Sequence, residues 1–242
     1  MQGPSILSNT KKKPEFDQLA NDYAQLLSQA VTMSGEAPDY FAEYKIADLA
    51  QYLRSQSFDP RSILDFGSGV GNSLPFFRQY FAQAALNNAD VSEQSNAVAK
   101  KRFPGDENYF QILEGIPLPD NSQDLVFSSC VFHHIDPADH GFWLAEIRRV
   151  LKPGGYLAIY EHNPFNPLTQ WVVRHSPLDV NAILISPKKM QRQFHALGFV
   201  ESTLAYKVFF PKALAFLRRY EHLLGPIPMG AQYRYAAKKP IN

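Results

Sequence analysis

The stretch "ILDFGSGVGNS", residues 63 to 73, places three glycines in five positions directly behind a short apolar run that contains an acid. An apolar run followed at once by glycines and then by a helical pattern reads as strand, turn and helix, the unit that opens an α/β domain. Glycine reaches positive φ and lacks the Cβ that would hold a ligand off the backbone, so Gly67, Gly69 and Gly71 predict a loop against which a small molecule lies. The spacing narrows the choice. A dinucleotide fingerprint needs its third glycine one residue later, where Asn72 stands, which weakens a nicotinamide or flavin reading.

Outward from this loop, short apolar runs alternate with helical stretches: "SILDF", "AALNNAD", "YFQIL", "DLVFSSCVF", "GYLAIYE" and "FVESTLAY", with helices near 73–82, 92–103, 137–151 and 187–197. Such alternation predicts a doubly wound α/β domain with a largely parallel sheet. "LKPGG" supplies the stop signals of the third helix. Upstream, from Glu15 to Phe58, apolar residues at three- and four-residue steps predict two amphipathic helices broken at "SGEAPD". From Glu161 to Ser186 the alternation lapses into "HNPFNPLTQWVVRHSPLDVNAILIS", too long for an ordinary connection, and reads as an insertion after the fifth strand. A detour at 207–229 carries an amphipathic helix, "PKALAFLRRYEHLLG", expected to pack on the sheet or on a second subunit. The chain then returns with "AQYRYAAKK" as an antiparallel edge strand. The expected division is a tail and helical cap over 1–58 and the main domain over 59–242, with 162–186 as a lid.

Composition limits the function. With 242 residues, 45% of them hydrophobic, the chain can bury a large core. Its 24 basic and 23 acidic residues leave a net charge of +1, no field for a nucleic acid or an anionic membrane. The lone Cys130 excludes an internal disulfide or a multi-cysteine metal site and fits a reducing cytoplasm. The sequence holds no apolar run of ~20 residues to span a bilayer, and its N-terminus lacks the apolar stretch of a secretory signal. "KKK" at 11–13 reads as a solvated tail. Asp90 ends the second strand, where a carboxylate can accept hydrogen bonds from both hydroxyls of a ribose. The same oxygens could instead cap the helix that begins near Ser92.

Together "ILDFGSGVGNS", "ADVSEQS", "GIPLPDNSQDLVFSSCVFHHI" and "LAEIRRVLKPGGYLAIYE" occur in the order and spacing of the class I S-adenosylmethionine-dependent methyltransferases. The chain resembles the subgroup that methylates small molecules such as quinone rings and sugars. The resemblance implies a Rossmann-like, seven-stranded, mostly parallel sheet with an antiparallel last strand, and S-adenosylmethionine as cofactor. By the same resemblance, Asp65, Gly67, Ser68 and Gly69 hold the methionine portion, Asp90 takes the ribose hydroxyls and Val91 packs on the adenine. The family's acid before the "LP" turn is replaced by Ile112, so Glu114 or the backbone around Leu113 is expected to take over its contact. Ser129 and Cys130 line the floor, Cys130 as a small buried filler.

Among candidate acid–base groups, "FHHIDPADH" brings His133, His134 and His140 close in sequence. Adjacent histidines on an extended strand point to opposite faces, so no metal is expected there. One of His133 and His134, with His134 preferred, either takes a proton from a substrate hydroxyl or shapes the cofactor pocket. His140 is assigned to the surface or to the start of the next helix, and Arg148 and Arg149 to a solvated helix face. Glu161, His162 and Asn163 stand at the mouth of the fifth strand, followed by Arg174, His175 and Asp179 in the insertion. The upstream helices supply an opposite wall through Tyr23, Tyr40, Tyr44 and Lys45, unless those residues are simply core. The expected activity is methyl transfer to a small-molecule acceptor, preferably an oxygen of a sugar-containing or phenolic compound. A nicotinamide-dependent oxidoreductase and a non-catalytic S-adenosylmethionine-binding protein are the alternatives. The expected setting is cytoplasmic, with no nucleic acid, no stable membrane insertion and a homodimer as the assembly.

Overall fold

The computed structural model describes residues 35–241. In chain order the elements are α1 (Pro38–Ser55), β1 (Ser62–Phe66), α2 (Leu74–Tyr80), β2 (Ala85–Asp90), α3 (Glu93–Arg102), β3 (Asn108–Gln111) and β4 (Gln123–Ser129). They continue with α4 (His140–Val150), β5 (Leu151–His162), α5 (Pro167–His175), α6 (Pro187–Ala196), β6 (Val200–Lys207), α7 (Glu221–Leu224) and β7 (Gln232–Lys238). The strands form one seven-stranded sheet in the order β3-β2-β1-β4-β5-β7-β6. β3, β2, β1, β4 and β5 run parallel, and β7 is antiparallel to both its neighbours.

Strands in a parallel sheet are buried on both faces, and successive side chains assign the two cores. Leu64, Phe66, Val126, Leu157 and Ile159 face Leu144 and Ile147 of α4 and Met190 and Phe194 of α6. The alternate residues Ile63, Leu125, Phe127, Ala158 and Tyr160 face α2 and the apolar stripe Ile46, Leu49 and Leu53 of α1. α1 is also pinned by charge. Asp48 accepts from Tyr160 Oη at 2.7 Å and pairs with Arg234 at 2.7 Å and Lys207 at 2.5 Å.

Several expectations are corrected here. β7 is not an edge strand: it threads between β5 and β6, and all its residues but Lys238 are buried. The 207–229 detour forms no long amphipathic helix. It has a 3-10 segment over Lys212–Tyr220, broken by non-helical angles at Leu214, and the single turn of α7. No residue of that 3-10 segment is buried, because its anchor is not the sheet but Arg218, bound to Glu36 at 2.6 Å and to the carbonyl of Phe210. β4 ends at Ser129, three residues before the predicted limit, since Cys130 turns the chain with φ of 58° into a 3-10 turn over Phe132–His134. The first predicted helix, with Tyr23 and the lysine run, lies outside the described residues.

Candidate active site

Strand order reverses between β1 and β4, and in open α/β sheets ligands settle beyond the carboxyl ends at such a switch point. The loop after β1 is stapled to the end of β2. Gly67 N–H donates to the carbonyl of Ala89 at 2.7 Å, and Gly69 N–H to Asp90 Oδ2 at 2.8 Å. All three glycines have positive φ, for different reasons. A Cβ on Gly67 would lie 2.3 Å from Val131 Cγ2 and one on Gly71 3.0 Å from Ala99 Cβ, whereas one on Gly69 would meet nothing within 4 Å. The outer two glycines serve packing; the middle one leaves bare backbone facing an opening. Beside it the buried Ser68 Oγ has no hydrogen-bond partner. A buried hydroxyl left unpaired costs ~1–3 kcal/mol, which a polar ligand recovers.

Asp90 is buried, and its Oδ1 accepts from Ser92 N–H at 2.8 Å. The helix cap is Ser92 itself, whose Oγ accepts from Ser95 N–H at 3.0 Å, so Asp90 is not the cap of α3. Asp65 is buried as well. Burial, and then the neighbouring Asp90 charge, push its carboxyl up to about 8 against the opposing pull of Lys45, so it is neutral at pH 7. Further along the edge, Leu113, Glu114, Gly115, Ile116, Gln111 and Pro117 line an open cavity of about 400 Å³. Val91 and Leu113 are exposed nearby, while Ile112 is core and its N–H donates to the carbonyl of Asp90. Arg149 is not a solvated residue: it donates to the carbonyls of Ile116 and Leu118 and pairs with Glu146 and Asp120, fixing this loop.

Over β4 and β5 lies a second polar group. Lys45 Nζ donates to Ser129 Oγ at 2.7 Å and to Cys130 Sγ at 3.4 Å. Burial pushes the Cys130 thiol up, but Lys45 and His162 outweigh it and hold the thiol at about 6. Cys130 is half-buried and hydrogen-bonded to Lys45 rather than enclosed in an apolar strand. Deeper, Glu161 Oε1 accepts from Val131 and Phe132 N–H, and its Oε2 binds His133 Nδ1 at 2.6 Å. His133 Nε2 binds Asp179 Oδ1 at 3.2 Å. Burial opposes the charged ring, but Glu161 and Asp179 hold its pKa up to about 10, so His133 is an imidazolium. For His134, burial and then that imidazolium press the pKa down to about 4, so its ring is neutral.

The 3-10 turn also changes the metal argument. His133, His134 and Asp179 do converge, with ligand-type atoms within 4.8 Å of one another, because neither histidine is on an extended strand. Both ring nitrogens of His133 nevertheless face carboxylates, and a protonated ring has no lone pair to donate to a metal.

A family model described as a methyltransferase domain matches residues 64–159. A probable methyltransferase of Aspergillus luteorubrus is 33% identical over 183 residues, covering 65% of this chain and 62% of the relative. A malonyl-[acyl-carrier protein] O-methyltransferase of Marinomonas sp. (strain MWYL1) is 30% identical over 143 residues, covering 57% and 52%. The match therefore spans half to just under two thirds of these relatives' length. A Thermotoga maritima crystal structure, described as a SAM-dependent methyltransferase and possible histamine N-methyltransferase, superposes with a TM-score of 0.64 at 19% identity, covering 93% of this chain and 97% of that one. Residues 64–159 thus match a methyltransferase domain, and the fold is shared with that solved methyltransferase structure.

Asp65, Gly67, Ser68, Gly69, Asp90 and Ser129 gather at one sheet edge, with His134 and His162 beside them. Three predicted substrate residues do other work. Asn163 is fully buried and donates to the carbonyls of Pro228 and Gly230. Tyr44 donates to Glu221 at 2.8 Å, joining α1 to α7. Arg174 is on the exposed side of α5, bonded to Gln170. Glu161, His133 and Asp179 were visible as charges at a strand mouth, but not as one buried network. His140 begins α4 as expected yet is buried, bonding the carbonyls of Phe132 and Ile135. Among the described residues no helix is long and apolar enough to cross a membrane.

Proposed function

We propose that this protein moves the methyl group of S-adenosylmethionine to an oxygen of a small acceptor held over β4 and β5. The observation that carries the reading is the bare Gly69 backbone and unpaired Ser68 Oγ beside the buried Asp90. Bound there, the cofactor supplies a methyl on a sulfonium, ready for in-line displacement. Gly69 admits the methionine end and Ser68 Oγ bonds it. Asp90 takes the ribose hydroxyls, since a carboxylate has about four lone-pair sites to share between backbone and diol. Leu113 and Glu114, which line the open cavity, and the exposed Val91 would hold the adenine.

Alignment supplies most of the acceleration in such a displacement. An alcohol or phenol becomes strongly acidic as its oxygen gains the methyl, so the neutral His134 can take that proton despite its low pKa. The partly exposed polar groups of His162 and Asp179 around it suit a phenolic or sugar-containing acceptor. Exposed Phe216, Leu223 and Met229 in the detour are the surface a second copy would cover, read out by sedimentation. The test of function is calorimetry with S-adenosylhomocysteine, followed by label transfer from methyl-labelled S-adenosylmethionine into phenol and sugar panels. His134→Ala is expected to keep cofactor affinity and lose turnover. Tight binding without label in any acceptor would leave a non-catalytic binder instead.

A further inference from the structure

Two carboxylates, Glu161 at the end of β5 and Asp179 in the insertion, face two histidines that share one 3-10 turn. Anions withdrawn from water in this way need a cation. Either ring could carry the proton, and the geometry separates them. His133 has a side chain sealed from solvent, with Nδ1 2.6 Å from Glu161 Oε2 and Nε2 3.2 Å from Asp179 Oδ1. A neutral imidazole has a single N–H donor, so a ring with a carboxylate oxygen at each nitrogen carries two protons. The ring is also fixed in place: Glu161 Oε1 accepts from the Val131 and Phe132 amides, and the His133 carbonyl accepts from Ile183 N–H at 2.8 Å. His134 lies against that cation with ring centroids 4.1 Å apart, and 18% of its side chain is open. Its Nε2 is 3.6 Å from the same Asp179 Oδ1. The remaining titratable neighbours of the pair are Cys130 and His162, whose ring centroid is 5.1 Å from that of His133.

We propose that His133 is a positioning residue that supplies the one cation Glu161 and Asp179 require and thereby keeps the neighbouring His134 neutral, a role that rests on the reading of His134 as the base of methyl transfer. His133 is sealed from the cleft and touches no acceptor. His134 is the ring the acceptor can reach. As the acceptor oxygen bonds the methyl carbon, the electron pair of the breaking carbon–sulfur bond stays on sulfur and the acceptor's proton passes to His134. Only a neutral ring can take it. Without His133 the duty of balancing the carboxylates falls to its neighbour. Asp179 Oδ1 already lies within ion-pair reach of His134 Nε2, and only burial and His162 then oppose a proton there. His134 becomes the imidazolium and can no longer act as a base. Two adjacent histidines thus divide the work, the buried one holding charge and the open one holding a lone pair.

The experiment follows the histidine rings by nitrogen-15 NMR through a pH titration of the wild type and of His133→Gln, with His134→Gln assigning the His134 signal. In the wild type His134 is expected to take its proton only near pH 4, and His133 to keep its own until about 10. In His133→Gln the His134 pKa should rise to ~6.5 or above, a gain in proton affinity of more than tenfold. Label transfer from methyl-labelled S-adenosylmethionine into the phenol and sugar panels gives the second readout. Wild-type kcat/KM should change little between about pH 6 and 8, whereas His133→Gln should lose about tenfold for each pH unit below its new pKa. A merely structural loss would lower the rate alike at every pH. The wild-type titration decides even if His133→Gln fails to fold: a His134 ring that gains its proton near ~6.5, the ordinary value, overturns the proposal. So does a His134 signal that titrates alike in both proteins. A His134 pKa that rises as expected with no acid limb in the rate would instead overturn the reading of His134 as the base, and a wild type that labels no acceptor would overturn the transfer activity.

Discussion

Alanine at Gly67 and alanine at Gly69 are the same chemical change two residues apart, and the structure assigns them opposite consequences. At Gly67 the new Cβ must sit at φ 77° and 2.3 Å from Val131 Cγ2, with Cγ1 at 2.7 Å. Left-handed backbone costs an alanine roughly 1–2 kcal/mol, and forcing a methyl into a filled space typically costs about 1–3 kcal/mol more. Gly67→Ala is therefore expected to lose ~2–5 kcal/mol, a drop in Tm of roughly 4–20 °C for a chain of this size. At Gly69 the φ is 52° and nothing lies within 4 Å, so only the backbone cost of ~1–2 kcal/mol applies. The methyl there occupies the floor of the crevice and should weaken S-adenosylhomocysteine at least tenfold, or ~1.4 kcal/mol. Differential scanning fluorimetry and calorimetry on both variants separate the effects. Val131→Ala in the Gly67→Ala background supplies a check, since the double variant should be less destabilised than the sum of its parts. A Gly69→Ala protein that binds the nucleoside as the wild type does, or a Gly67→Ala protein of unchanged Tm, would refute the division of labour in this loop.

Other outcomes follow from the buried charges. Glu161→Gln removes a partner from the buried His133 imidazolium and should cost ~3–5 kcal/mol in urea unfolding. The His133 pKa is raised in the folded state, from ~6.5 to about 10, so its contribution is complete below pH 6.5 and is lost as pH rises towards 10. Wild-type stability should fall between pH 6.5 and 10 more steeply than that of His133→Gln; parallel curves would remove the network's role. Asp90→Ala loses charge-assisted hydrogen bonds of ~1.5–3 kcal/mol, so calorimetry should show S-adenosylhomocysteine binding at least an order of magnitude weaker.

The parts of this molecule written in local pattern were legible. "ILDFGSGVGNS" set the switch-point loop, and runs such as "SILDF" and "GYLAIYE" set parallel strands buried on both faces, because each depends on residues next to one another. β7 was legible as a strand, but alternation does not say between which partners it lies. The histidines were misplaced because a single left-handed residue, Cys130, ends β4 and turns both rings towards Asp179. Nothing in the local sequence marks a cysteine for that conformation. Lys45 and Arg149 read as ordinary helix charges, since their partners come from distant strands and loops. Asn163, an amide at a strand mouth, looked like a ligand contact until its carbonyl partners 65 and 67 residues away were in view.

The threading of β7 between β5 and β6 also constrains how the molecule assembles. β6 follows β5 in the chain, yet its strand partner is β7, and Tyr156 of β5 meets Lys238 only after the whole intervening chain has closed into a loop. Closing so long a loop is slow and yields no native contact until it is complete. The half of the sheet beyond β5 should therefore form in one late, cooperative step. The first half, from β1 to β4 with the glycine loop, can become ordered before it.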